Sequence, residues 1–350
     1  MQQRLDALGA VLSATDPEYP FKVSTERIVN NDKLLHNSVK LAETNGLYYI
    51  FVQNLRKNGF NLSGVHEARM RAEMANYSEY IELLQIIDKL ENEHSIEYVV
   101  IKASNKIPHI PRDIDIFVRA HDRDSVIEIL KDNHLNLVHE SVAETSLIYR
   151  HIKVDIYTEI CYMGKEFIDG DYLLASKRRD YQFDIEYNNL SDDVNLLLLL
   201  VHGLFGHRSM TLLDFLHIKL LLQSANVSEC KDYAESKGWK ATFEALLKVM
   251  IDIEARLYSD LDFRVSFPYI FNKPLVMQCV SDIGYHDMNF RQRFFIHLTL
   301  TQDRLLLALV GTDLHHFVKS RQELRRFVNS ASTIVKIGRG DTKSFKSRQN

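Results

Sequence analysis

A chain of 350 residues, 45% hydrophobic and 26% charged, with only 13 Gly and 6 Pro, has room for two or three domains and excludes disulfide-scaffold, collagen-like and disordered classes. Its formal net charge of −4 forces no nucleic-acid or membrane partner on the chain as a whole. The balance is uneven: Lys319 to Asn350 holds nine basic residues against two acidic ones, a local +7 that leaves −11 on the remainder.

Cys161, Cys230 and Cys279 are odd in number and show no C-x-x-C spacing, which fits a reducing compartment rather than a disulfide framework or zinc knuckle. Met1 to Ala10 has no apolar leader core. The longest apolar run, Leu196 to Phe205, is interrupted by His202 and reaches about half of the ~20 residues that a membrane helix needs. The expectation is a soluble, cytoplasmic protein with no membrane partner.

In chain order, residues 26 to 92 place apolar side chains at helical spacing, including Leu34, Leu35, Val39, Ile81, Leu84 and Ile87. Residues 1–92 are therefore expected to form an N-terminal helical region. From residue 93 to 190 the pattern turns α+β. Short β-rich runs, Tyr98 to Ile101 and Ile114 to Val118, flank a loop with Pro108 and Pro111. A helix capped by Asp122 or Asp124 runs to Asp132, and further strands follow at Leu135 to Val142, Leu147 to Arg150 and Lys153 to Tyr157. Residues 191–328 return to helix, opening at Ser191 with Asp192 and Asp193. Val194 to Leu222 is so apolar that one buried helix is expected there. Further helices are expected at Phe243 to Leu257 and Phe290 to Phe327, separated by a loop with Pro268 and Pro274. Residues 329–350 form a basic flexible tail.

The chemistry-bearing pattern is Asp113-Ile114-Asp115. Strand alternation puts both acids on one face and the isoleucines on the other. Two carboxylates ~4 Å apart repel by about 4 kcal/mol at an effective dielectric of ~20, so such a pair implies a cation, and hard oxygen ligands suit Mg²⁺. Asp184-Ile185-Glu186 and Asp260-Leu261-Asp262 repeat the form by chance and read as solvated acids. Only the first follows a hydrophobic strand ending in Lys102-Ala103-Ser104, is reached through a Pro-stiffened loop, and precedes a later strand with a lone acid, Val154-Asp155-Ile156.

This order resembles the polymerase-β-like nucleotidyltransferase superfamily. Together with His202 and Leu212 to Leu216 it is similar to an uncharacterised nucleotidyltransferase family, in archaeal-type form, over about residues 30–225. The resemblance implies a minimal nucleotidyltransferase α/β domain with a mixed sheet, flanked by helical regions. It implies an Mg²⁺-dependent, two-metal transfer of a nucleoside monophosphate from an NTP, ATP among the candidates, to a hydroxyl acceptor with release of pyrophosphate. Asp113, Asp115 and Asp155 would hold the metals, and Lys102, Ser104 and Arg112 would meet the phosphates. Two positions depart from the pattern: Ala103 stands where the turn usually has Gly, and Tyr157 where relatives often have His. The acceptor stays open between a small molecule, a sugar, a protein hydroxyl and an RNA end. Two alternatives stand beside this reading: a catalytically lapsed nucleotide-binding protein, and an RNA-directed enzyme using Lys319 to Arg348.

The other polar features read mainly as structure. His202 and His207 are five apart, which is poor spacing for metal ligation on an α-helix. Asp214 in an apolar stripe calls for a hydrogen-bond partner, and Lys177-Arg178-Arg179 reads as a solvated cluster.

Overall fold

The computed structural model describes residues 2–271 except 62–63, 104–105, 142–143, 163–164, 183–184, 208, 259–266 and 268. The expected helix at Phe290 to Phe327, the basic segment Lys319 to Arg348, Ser104 and the Asp260/Asp262 pair lie outside the described residues.

Helices come first: α1 (Gln2–Thr15), α2 (Thr25–Val29), α3 (Asp32–Thr44), α4 (Tyr48–Lys57) and α5 (Gly64–Asn92). Ser24 and Asn31 cap α2 and α3 by accepting from the Arg27 and Leu34 amides, satisfying donors that a helix start leaves open. α1 precedes the helical spacing that begins at residue 26, and its Leu8, Ala10, Val11 and Leu12 are buried.

The α+β block follows: β1 (Tyr98–Ile101), β2 (Asp113–Val118), α6 (Arg123–Asp132), β3 (Asn136–Glu140), β4 (Glu144–Tyr149) and β5 (Ile152–Tyr157), then the hairpin β6 (Ile160–Tyr162) and β7 (Lys165–Ile168), then α7 (Gly170–Ala175), β8 (Lys177–Gln182) and β9 (Ile185–Leu190). Seven strands form one mixed sheet in the order β3-β4-β5-β2-β1-β9-β8. The β2–β5 and β1–β9 pairs are parallel and the other four are antiparallel. The expected α+β class with a mixed sheet is what the chain forms.

Strand alternation divides the two faces. Tyr98, Val100, Ile114, Ile116, Val154 and Ile156 pack under α5 and α6, against Leu83, Leu84, Ile87, Val126 and Leu130. Val99, Ile101, Phe117 and Tyr157 join the second and larger core with α1, α4, α7 and the helices after the sheet. α7 crosses β2 so closely that a Cβ at Gly170 would stand 2.6 Å from the Phe117 ring, and only Gly fits there. Aspartates on the same face as Phe117, nearer the start of β2, lie beyond this apolar cover.

After the sheet come α8 (Asp192–Val201), a π-helical turn over His202–His207, β10 (Ser209–Met210), α9 (Leu212–Ser224), α10 (Val227–Ser236), α11 (Lys240–Tyr258) and β11 (Tyr269–Ile270). This corrects the expectation of one helix from Val194 to Leu222. The chain instead widens at His202, makes a short strand and restarts at α9. The restart has a local cause: Thr211 Oγ1 accepts from the Asp214 amide at 3.1 Å while Asp214 Oδ2 accepts from the Thr211 amide at 2.8 Å. That reciprocal capping box begins a new helix, and it accounts for the acid in the apolar stripe. No helix among the described residues is long and apolar enough to cross a membrane.

Two polar links join the N-terminal helices to those after the sheet. Asn45 Oδ1 accepts from the Leu212 amide at 2.9 Å. Lys219, 5% exposed, ion-pairs with Asp16, 4% exposed, at 3.1 Å. Lys177, Arg178 and Arg179 lie on edge strand β8 and pair with Glu91, Asp192 and Asp88, so the basic triplet clamps the sheet edge to α5 and α8.

Candidate active site

Because β2 and β5 run parallel in register, Asp115 lies directly opposite Asp155, and Asp113 opposite Lys153. The sheet brings the three predicted acids to one face, since residues two apart on a strand share a face. β4 pairs antiparallel with β5 and places Ser146 opposite Asp155 on its other side.

Each buried carboxylate has a cationic partner. Lys102 Nζ stands 3.1 Å from Asp115 Oδ2, and Lys153 Nζ donates to Asp155 Oδ2 at 2.8 Å while Ser146 Oγ donates to Asp155 Oδ1 at 2.6 Å. Asp155 is only 3% exposed, and a buried charge of that kind requires such partners. Lys102 Nζ also donates to Tyr157 Oη at 3.0 Å and sits 4.3 Å from the ring centroid. Tyr157 thus seats the lysine by hydrogen bond and cation–π contact.

Asp113 opens to solvent on one side while protein surrounds the rest. Its carboxyl is pushed up to about 6, first by burial and then by Asp115, against the opposing pull of Lys102. Asp113, Asp115, Asp155 and the buried Glu144, whose Oε1 lies 3.9 Å from Lys153 Nζ, outnumber the two ammonium groups, and Asp113 is in no ion pair among the described residues. Arg112 is exposed on the rim and makes no ion pair among the described residues.

The turn after β1 differs from expectation. Its left-handed residue is Lys102, with φ 59°, and not Ala103. A non-Gly residue there is uncommon and strained, but the conformation aims the lysine at Asp115. Asn195 of α8, itself buried, donates to the Ala103 carbonyl at 3.0 Å and pins the turn. Ser104 lies outside the described residues.

A recess of about 320 Å³ opens beside the acids, lined among others by Lys102, His109, Arg112, Asp113, Asp115 and Leu213. Gly46, with φ +74°, forms part of its wall, where a Cβ would come within 3.0 Å of Leu213. Lys153, Ser146 and His109 were not singled out from sequence. Lys153 carried a signal, standing two residues before Asp155 on the same strand face. Ser146 did not, because the β4–β5 register is a tertiary fact.

The donor set suits a hard divalent cation in chemistry and in sharing one face. As placed, the carboxylates turn to ammonium groups, and no three His, Cys, Asp or Glu side chains among the described residues are grouped to hold a metal ion. Of the acids outside this site, Glu186 is exposed and lies 3.6 Å from Arg179, as a solvated residue should.

No protein-family model matches the sequence, and no curated protein matches it. Among solved structures, the chain is similar to a lincosamide antibiotic adenylyltransferase in its lincomycin-bound form, with 19% identity, a TM-score of 0.29, and coverage of 41% of this chain and 94% of that one. So loose an overlap transfers neither fold nor activity, and the reading of the site rests on its own geometry.

Proposed function

We propose that the chain is a nucleotidyltransferase that moves a nucleoside monophosphate from an NTP to a hydroxyl acceptor with release of pyrophosphate. The observation that carries this reading is the in-register opposition of Asp115 and Asp155 on parallel strands, with Asp113 on the same face and its carboxyl raised to about 6. Excess negative charge at the mouth of a recess invites a cation and the phosphates it accompanies.

Asp113, Asp115 and Asp155 would hold Mg²⁺, two ions in the fullest form, which supply charge neutralisation at the attacking and leaving oxygens. The rest of the work falls to this chain's own side chains. Lys102, released from Asp115, would reach phosphate oxygens as a point charge, while Tyr157 limits how far it swings. Arg112 adds a second cation at the rim. Ser146 and Lys153 fix the orientation of Asp155, and Asn195 keeps the Lys102-Ala103 turn in place. The Ser104 hydroxyl is assigned to the same phosphates by its place in the sequence.

The test is thermal stabilisation by NTP with Mg²⁺. Linkage gives about 2.7 kcal/mol at a hundredfold excess over the dissociation constant. The wild type should gain stability only when nucleotide and metal are both present, and Asp115→Asn should lose that gain; equal gain in both would overturn the reading.

A second reading, a nucleotide-binding protein without turnover, is favoured by the two ammonium groups standing on Asp115 and Asp155. It predicts nucleotide binding with no pyrophosphate release in the presence of any acceptor.

A further inference from the structure

His109 lies between Pro108 and Pro111, lines the recess and is half-buried. Its Nδ1 is 3.0 Å from the Ile107 carbonyl. A carbonyl only accepts, so Nδ1 carries the proton and Nε2 of the neutral ring carries the lone pair. Burial holds the ring neutral by pushing its pKa down, with the nearby Asp214 charge opposing. His217 of α9 packs against it with the rings tilted at 58° and their centroids 5.0 Å apart, and the Nε2 of His217 is sealed without a hydrogen-bond partner. The Nε2 of His109 is different. It has no hydrogen-bond partner among the described residues, and it is not a sealed atom. A polar acceptor on a ring held by the Ile107 carbonyl and packed against a second imidazole thus lies in the lining of the recess with no donor among the described residues bonded to it.

The lining of the recess is of two chemical kinds. Lys102, Arg112, Asp113 and Asp115, on or beside β1 and β2, are ionic and suited to phosphates and a cation. His109, which packs against His217 of α9, Ile110 and Leu213 of α9 are neutral and largely apolar. We propose that this His109 part of the lining is the acceptor subsite, with Nε2 of His109 accepting a hydrogen bond from a hydroxyl of a small polyhydroxylated molecule. The size argues for a small molecule: about 320 Å³ is at the lower end of small-molecule pockets. The proposal rests on the transferase reading, and its test separates the two.

Diethyl pyrocarbonate, applied to the native full-length chain, should carbethoxylate His109 and spare His217, as read by peptide mass spectrometry. An unreactive His109 overturns the presented Nε2 whatever the chain catalyses. With Mg²⁺ and α-³²P-ATP, the acceptors offered would be a panel of sugars, polyols and aminocyclitols, an RNA oligonucleotide and a seryl peptide; label should pass to a member of the small-molecule panel. His109→Ala should then raise the acceptor KM about tenfold or more, the loss expected for one hydrogen bond, with the ATP KM unchanged. His109→Gln, whose amide oxygen can accept, should recover part of it. Label passing only to RNA or peptide, or a variant effect confined to the ATP KM, overturns the acceptor subsite. A wild type that neither binds Mg·ATP nor transfers label sinks the transferase reading, and the acceptor assignment with it, while the carbethoxylation result identifies which of the two premises failed.

Discussion

Lys153 and Asp155, two residues apart on β5, form an ion pair at 2.8 Å in which the carboxylate is 5% exposed and the ammonium 35%. The lysine therefore acts as the built-in countercharge of Asp155, and it also lies 3.9 Å from the buried Glu144. Lys153→Met should destabilise the apo protein by about 2 kcal/mol, less than for a fully buried pair because the lysine reaches solvent. The double variant Lys153→Met with Asp155→Asn should recover most of that loss in urea unfolding. A single variant as stable as the wild type would show that Asp155 is balanced from elsewhere.

Asp113 makes the opposite prediction. Its carboxyl is raised to about 6 in the folded chain, against roughly 3.9 when unfolded. Between those values the folded state holds a proton that the unfolded state has released, so stability falls as pH rises from about 4 to about 6 and stays low above. The full shift corresponds to at most about 3 kcal/mol, and open solvent on one side of Asp113 reduces it to about 1 kcal/mol. Asp113→Asn should therefore stabilise the metal-free protein by about 1 kcal/mol at pH 7.5 and by nothing at pH 4. Thermal melts at the two pH values check it; a destabilised variant at pH 7.5 would contradict it.

Lys219 is held by Asp16 at 3.1 Å, Glu18 at 2.7 Å and the Tyr258 hydroxyl at 2.8 Å. It ties the end of α1 to α9 and α11. Lys219→Met should cost about 3 kcal/mol, because it strands Asp16 as a buried charge. Adding Asp16→Leu should restore most of it, as measured by chemical denaturation.

Thr211→Val should lose about 1 kcal/mol by removing the side-chain half of the α9 capping box. Thr211→Ser keeps the oxygen and should stay within a few tenths of a kcal/mol of the wild type.

What the sequence disclosed followed from local periodicity and from one motif. The strand holding Asp113 and Asp115, and the strand holding Asp155, were legible because alternation by two leaves a clear mark in Asp-Ile-Asp-Ile and Val-Asp-Ile. Their register was not, since whether Asp115 meets Asp155 or a neighbour depends on pairing between distant segments. Ser146 and His109 were hidden for the same reason: each acquires meaning from what the fold brings beside it. The long helix expected from Val194 to Leu222 failed because hydrophobicity says how deeply a segment lies, not whether its backbone is continuous. Gly203 and the Thr211/Asp214 pair were the local signs of the break. At the turn, Lys102 and not Ala103 takes the left-handed conformation, which depends on the contacts the lysine makes across the sheet.

The measurement that bears most directly on the central claim is release of labelled pyrophosphate from γ-³²P-NTP by the full chain with Mg²⁺ and a panel of hydroxylated acceptors. The three-acid account predicts release that EDTA abolishes and that falls by at least about a hundredfold in each of Asp113→Asn, Asp115→Asn and Asp155→Asn, with each variant still folded. Release at the wild-type rate in any of the three, or none in the wild type despite metal-dependent nucleotide binding, would contradict it.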